Sequence, residues 1–214
     1  GESHEQSSLF ISNHDASWTM QHIASVEGQQ GFSFNKEQLN AIHMPFLHNF
    51  SLLTGGAGVG KTAVLRAIIK LAERRHLQVY QMALAGRAAK RMSESTDFPA
   101  MTIARFLLEA RAERLNITSE SIVVVDEASM LDLPTAYRIL RLLPDGTRML
   151  LVGDPAQLAP IGFGLVFHRL VGSNEVPQTH LTEVYRQAAS TGIPDVAKAV
   201  REHQIPDFSP FNGK

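Results

Sequence analysis

Gly55, Gly60, Lys61 and Thr62 stand at the spacing GxxxxGK(S/T), inside the run Gly55-Gly56-Ala57-Gly58-Val59-Gly60-Lys61-Thr62-Ala63. Residues with little or no side chain let the backbone curl until successive N–H groups converge on one anion. Lys61 adds a point charge, the Thr62 hydroxyl is reserved for a magnesium ion, and a helix opening at Ala63 sets its N-terminal dipole on the same anion. The pattern predicts a cradle for the phosphates of a nucleoside triphosphate rather than a plain glycine-rich turn.

Two further stretches carry groups that would complete such a site. Val123-Val124-Val125 runs into Asp126-Glu127-Ala128-Ser129. An apolar strand that ends in acids puts them beyond the carboxyl edge of a parallel sheet, where ligands lie. Asp126 would hold magnesium and Glu127 would polarise a water for attack on the γ-phosphate; the competing reading is that Asp126 caps the turn that follows. Gly153-Asp154-Pro155-Ala156-Gln157 follows another apolar strand. Gln157 is placed to orient that water, or else is a surface amide in an Asp-Pro turn.

Alternating strand and helix signals position these groups. Strands are expected at Leu52–Thr54, Gln78–Leu84, Ser121–Val125, Thr147–Val152 and His180–Thr182, with helices at Asp15–Glu27, Ala63–Arg74, Gly86–Ser95, Thr102–Leu115, Leu133–Leu143, Phe163–Val171 and residues 193–202. The helix after Phe34 has a marked start: Asn35 as N-cap, Gln38 three residues on, and Phe34 with Leu39 as a hydrophobic staple. Gln38 thus has a structural reading, and a second one in which its amide reads an adenine edge; local sequence favours the cap. Apolar strands alternating with helices predict an α/β fold, a doubly wound parallel sheet. Residues 1–32 read as a lead-in segment with one helix, 33–205 as the ATPase domain and 206–214 as a tail; the start at Gly-Glu-Ser-His and the end in a loop suggest a piece of something longer.

The 214 residues carry a net charge of −1 without a cysteine. That excludes disulfides and thiolate metal sites and suits a reducing cytoplasm; no apolar run approaches membrane-spanning length. The charge is uneven: residues 1–60 hold five acids against Lys36 alone, whereas residues 61–114 hold eleven lysines and arginines against five acids. A basic middle is where a polyanion would sit.

The ordered set of phosphate loop, VVVDEAS, GDPAQLAPIGFG and Leu181-Thr182-Glu183-Val184-Tyr185-Arg186-Gln187 resembles the first RecA-like domain of superfamily 1 DNA helicases of the RecD-like branch. The resemblance runs from about Phe34 to Arg201. It implies a RecA-like P-loop NTPase fold, ATP and Mg2+ as cofactors, 5′ to 3′ translocation on single-stranded DNA, and a second RecA-like domain as partner. It matches Gln38 to an adenine-contacting glutamine, Lys61 and Thr62 to the phosphate and magnesium residues, and Asp126 and Glu127 to the metal-linked and catalytic acids. Gln157 matches the glutamine that couples γ-phosphate to DNA, and Arg186 an arginine that reaches the γ-phosphate.

The segment with Arg87, Lys90 and Arg91 resembles one that touches the DNA backbone, with Leu84-Ala85-Gly86 where Pro-Thr-Gly is frequent. Thr102-Ile103-Ala104-Arg105 resembles Thr-Ile-His-Arg, with Ala104 in place of histidine; Thr102 and Arg105 remain candidate contacts. Phe106 and Phe163 are candidate stacking aromatics, each with a core residue as its alternative. A second reading, favoured by Ala85 and Ala104, is an ATP-binding regulatory or assembly module with decayed DNA binding.

Overall fold

The computed structural model describes residues 13–30 and 33–183. Six strands form one sheet: β1 (Phe50–Gly55), β2 (Gln78–Ala83), β3 (Ala100–Thr102), β4 (Ser121–Asp126), β5 (Arg148–Gly153) and β6 (Gln178–Leu181). Their order is β3-β2-β4-β5-β1-β6 and every pairing is parallel. Among the described residues seven α-helices accompany them: α1 (Asn13–Gln30), α2 (Lys36–Leu47), α3 (Lys61–Arg74), α4 (Gly86–Thr96), α5 (Ile103–Arg111), α6 (Leu133–Leu140) and α7 (Val166–Val171).

Side-chain alternation explains why the central strands are apolar throughout. Leu53, Ile122, Val124, Leu150 and Val152 enter a core with α1 to α4, while Leu52, Val123, Val125, Met149 and Leu151 enter a second core with α5, α6 and α7. A strand covered on both faces has no polar side to show. The expected doubly wound α/β sheet is what forms. Ile23 and Val26 of α1 belong to the same core as α2 and α3, and the Arg75 guanidinium lies 5.2 Å from the Trp18 ring centre.

Several boundaries differ from the sequence reading, each for a local reason. β3 was not expected, because three residues after Pro99 carry no period. α1 continues through Gly28 to Gln30, since an isolated glycine weakens a helix without ending it. α5 stops at Arg111 instead of Leu115: Glu113 adopts φ 55° and the Arg114 N–H turns back to the Glu109 carbonyl. α6 stops at Leu140 instead of Leu143, the remainder closing as single turns. α7 begins at Val166, not Phe163, because Gly162-Phe163-Gly164 packs against the start of α6, with the Leu133 N–H on the Phe163 carbonyl at 2.9 Å. The helix expected at 193–202 lies outside the described residues.

Candidate nucleotide site at the carboxyl edge of the sheet

The glycine run leaves the end of β1 and enters α3 at Lys61. Gly58 and Gly60 have φ of 79° and 88°, a region that side-chain-bearing residues avoid. Gly55 is needed for a different reason. A methyl group there would stand 2.7 Å from Val59 Cγ2 and 2.9 Å from the Leu181 carbonyl oxygen. Val59 is buried and anchors the loop, while Ala57, Gly58 and Thr62 are exposed and Gly56, Gly60 and Ala63 are partly so. The Lys61 ammonium donates to the carbonyls of Gly55 at 2.6 Å and Gly56 at 2.7 Å. It is folded onto its own loop.

Parallel register brings the other groups to this edge. Thr54 pairs with Gly153 and with His180, and Asp126 with Ala83. Burial pushes the Asp126 carboxyl above its ordinary range; a bond from the Glu127 N–H and the positive charges of Lys61 and Arg91 pull it down without cancelling that effect. The Glu127 N–H donates to Asp126 Oδ1 at 2.8 Å, while the turn that follows has Glu127 at its N-cap position and no side-chain cap bond, so the capping role weighed for Asp126 is not what forms. Glu127 itself sits at φ 54°, ψ 33°, opening a single 3-10 turn over Ala128–Met130. Its Oε1 lies 3.1 Å from Arg91 Nη2.

Gln157 follows an Asx turn in which Asp154 accepts the Ala156 N–H on Oδ1 and the Gln157 N–H on its carbonyl. The turn predicted for Asp-Pro is real, and the Gln157 amide is exposed beyond β5.

Gln38 and Asn35 form the full capping box: the Gln38 N–H donates to Asn35 Oδ1 at 2.8 Å and Gln38 Oε1 accepts the Asn35 N–H at 3.0 Å. The residue is 1% exposed, and its Nε2 is a buried donor without a partner among the described residues. The cap therefore uses the oxygen and leaves the amine. Glu37, which the sequence reading passed over, takes the Thr182 N–H at 2.7 Å and the Thr182 hydroxyl at 2.6 Å, tying β6's end to α2. An acid in the first turn of a helix reads locally as a dipole partner, and nothing near it in sequence signals a contact 145 residues away. Arg186 lies outside the described residues.

The candidate DNA residues share the neighbouring helices. Arg87, Lys90 and Arg91 are exposed on α4, whose opposite face buries Ala88, Ala89 and Met92. Thr102 is the N-cap of α5, its oxygen accepting the Arg105 N–H at 3.2 Å, which leaves its own O–H to donate. Arg105 is exposed. Phe106 is fully buried between β2 and α5, against Tyr80, and is withdrawn as a stacking residue; Phe163 is 79% exposed.

Among the described residues no group of three or more His, Cys, Asp or Glu could hold a metal. Asp126 and Thr62 carry oxygens of the kind that a small hard cation takes, with its remaining ligands from water and phosphate. No described helix is long and apolar enough to cross a membrane.

Residues 33–211 match the model of a family described as AAA domain. The chain belongs to this AAA-domain family. This AAA domain is 35% identical over 176 residues to the ATP-dependent RecD2 DNA helicase of Deinococcus radiodurans, covering 80% of the chain and 24% of that protein. It is 30% identical over 195 residues to the RecBCD enzyme subunit RecD of Mycobacterium tuberculosis, covering 77% of the chain and 34% of that protein. The fold superposes on the Pif1 helicase of Candida albicans with a TM-score of 0.61, over 82% of this chain and 46% of that one, at 19% identity. In sequence the AAA domain is similar to these RecD-type proteins, and its sheet and helices have the RecA-like fold. It spans about a quarter to a third of the length of the two curated relatives.

Proposed function

We propose that the chain binds ATP with Mg2+ at Gly55–Ala63 and, within its full-length protein, hydrolyses it to drive 5′ to 3′ translocation along single-stranded DNA. The observation that carries this reading is the convergence at one sheet edge: an ammonium inside a glycine loop, and beside it a partly buried carboxyl at the end of β4 that burial holds above its ordinary range. Such a carboxyl gains most from a cation. When bound, Mg2+ would neutralise the charge that develops on the transferred phosphoryl group.

The chain's own residues divide the work. Lys61 leaves its loop carbonyls for phosphate oxygens; Thr62 and Asp126 would hold the cation; Glu127 accepts a proton from the attacking water; Gln157 orients that water. Gln38 offers its spare Nε2 to the adenine, and Arg186 supports the transition-state charge. The division into a lead-in at 1–32, an ATPase domain at 33–205 and a tail at 206–214 leading to a second RecA-like domain belongs to the same reading. That domain would form the other wall of the cleft, so the chain alone is expected to bind nucleotide and turn it over slowly. A cysteine-free chain of this kind suits the cytoplasm.

DNA binding rests on Arg87, Lys90, Arg91, Thr102 and Arg105. Titrating labelled oligo-dT across salt tests it: four engaged cations give a slope of about −3 in log K against log salt. A flat response would favour the regulatory-module reading, for which the exposed Ala85 and Ala104 speak.

A further inference from the structure

Arg91 stands between two sites. It is exposed on the outward face of α4, one turn from Arg87, where a DNA phosphate would lie. Yet its guanidinium reaches Glu127, 36 residues ahead and just past β4. The pair is lopsided: the Arg91 side chain is 73% exposed and that of Glu127 29%. Glu127 is the fixed member, held by its left-handed backbone, by its N–H on Asp126 and by its carbonyl on the Met130 N–H. Arg91, on a long side chain in open solvent, is the member free to leave. Its neighbours are not equivalent. Lys90 pairs within α4 with Glu94 at 3.8 Å, and Arg87 has no acidic partner among the described residues.

We propose that Arg91 is exchanged between Glu127 and a DNA phosphate, so that strand binding on α4 releases the carboxylate that acts on water. The inference rests on reading α4 as a DNA face and Glu127 as the general base. A carboxylate oxygen that accepts from a guanidinium is engaged by that contact and must give it up to face an attacking water. Solvent exposure makes the pair weak, and weakness is what exchange requires. A phosphate, which also fits the guanidinium fork, can displace the carboxylate at little cost. Because coupling is reciprocal, Glu127 must hinder DNA by the same factor that DNA frees Glu127. Arg91 is then a positioning residue for Glu127 in the absence of DNA and a phosphate contact in its presence.

Reciprocity supplies a test that needs no turnover. Oligo-dT affinity is measured by fluorescence anisotropy for the wild-type chain, Glu127→Gln, Arg91→Ala and the double variant. Exchange predicts that Glu127→Gln tightens oligo-dT binding by up to about fivefold, the span of an exposed ion pair, and that the gain disappears in the Arg91→Ala background. Arg91→Lys should restore part of both effects, since an ammonium can serve either partner. A gain that persists without Arg91 would mean that removing a negative charge helps DNA from any position, and no gain at all would mean that the pair does not compete; either overturns the proposal. Failure of the wild-type chain to bind oligo-dT would instead remove the DNA reading beneath it. In turnover, Arg91→Ala should raise the DNA-free rate while lowering the DNA-stimulated one, whereas a simple phosphate contact would lower only the second.

Discussion

Glu37 holds Thr182 with both carboxylate oxygens: Oε2 accepts the Thr182 backbone N–H at 2.7 Å and Oε1 accepts the Thr182 hydroxyl at 2.6 Å. The contact joins the first turn of α2 to the end of β6, from which the chain runs on toward Arg186. Burial raises the Glu37 carboxyl, but the bonds from Thr182 and Glu183 outweigh it and leave the group below its ordinary value of 4.5. A depressed carboxyl contributes stability that is complete above that value and fades as pH falls through the folded-state pKa. Glu37→Ala should therefore lower stability at neutral pH by about 0.5–1 kcal/mol, because the contact is solvent-exposed. The difference between variant and wild-type melting temperatures should shrink toward zero as the pH falls below the ordinary glutamate value and through the lowered folded-state one.

Asp126 should behave in the opposite sense. Its folded-state carboxyl is raised above 3.8, so ionisation costs more in the folded chain than in the unfolded one. Asp126→Asn removes that cost. The empty variant should melt higher than wild type at neutral pH, the two converging as pH falls below the ordinary aspartate value. It should also lose the Mg2+ dependence of nucleotide binding. A variant that melts lower at neutral pH would show that the carboxylate contributes to the fold instead of to a ligand.

Lys61 and Glu127 separate binding from chemistry. Lys61→Ala should weaken nucleotide binding by about 100-fold, the scale of losing a charge-assisted contact and the loop's only point charge. Glu127→Gln should bind ATP normally and lose turnover by a factor of about 10² to 10⁴, as expected for a general base. Equilibrium binding of a fluorescent ATP analogue reads the first, and phosphate release the second. Equal loss of binding in both variants would remove Glu127 from its assigned role.

Gly153 gives a purely steric test of the same edge. A methyl group there would meet Phe167 Cζ at 2.9 Å and the Ser129 N at 3.1 Å. Gly153→Ala should cost about 1–3 kcal/mol by overpacking, seen as a lower midpoint in urea. Since Gly153 pairs with Thr54 at the base of the phosphate loop, nucleotide affinity should fall with it.

The parts of this molecule that could be read from sequence are those whose signal is local. The phosphate loop announces itself through glycines that the backbone needs, the capping box at Asn35 and Gln38 through spacing, and the central strands through apolar runs buried on both faces. Contacts between distant segments leave no such trace. Nothing near Glu37 points to Thr182, and nothing in α4 says that Arg91 will turn to Glu127. Phe106 shows the converse: a basic, DNA-like segment around it suggested a stacking role, yet its spacing from Ile103 and Leu107 already placed it on the inward stripe of α5.

Lys61 donates to the carbonyls of Gly55 and Gly56, so its ammonium is held by the loop that carries it. An incoming ligand must outbid two short hydrogen bonds before the ammonium turns outward, so weakly charged anions meet a threshold that a triphosphate passes. The selectivity of such a loop is set as much by the bonds its lysine must give up as by those it goes on to make.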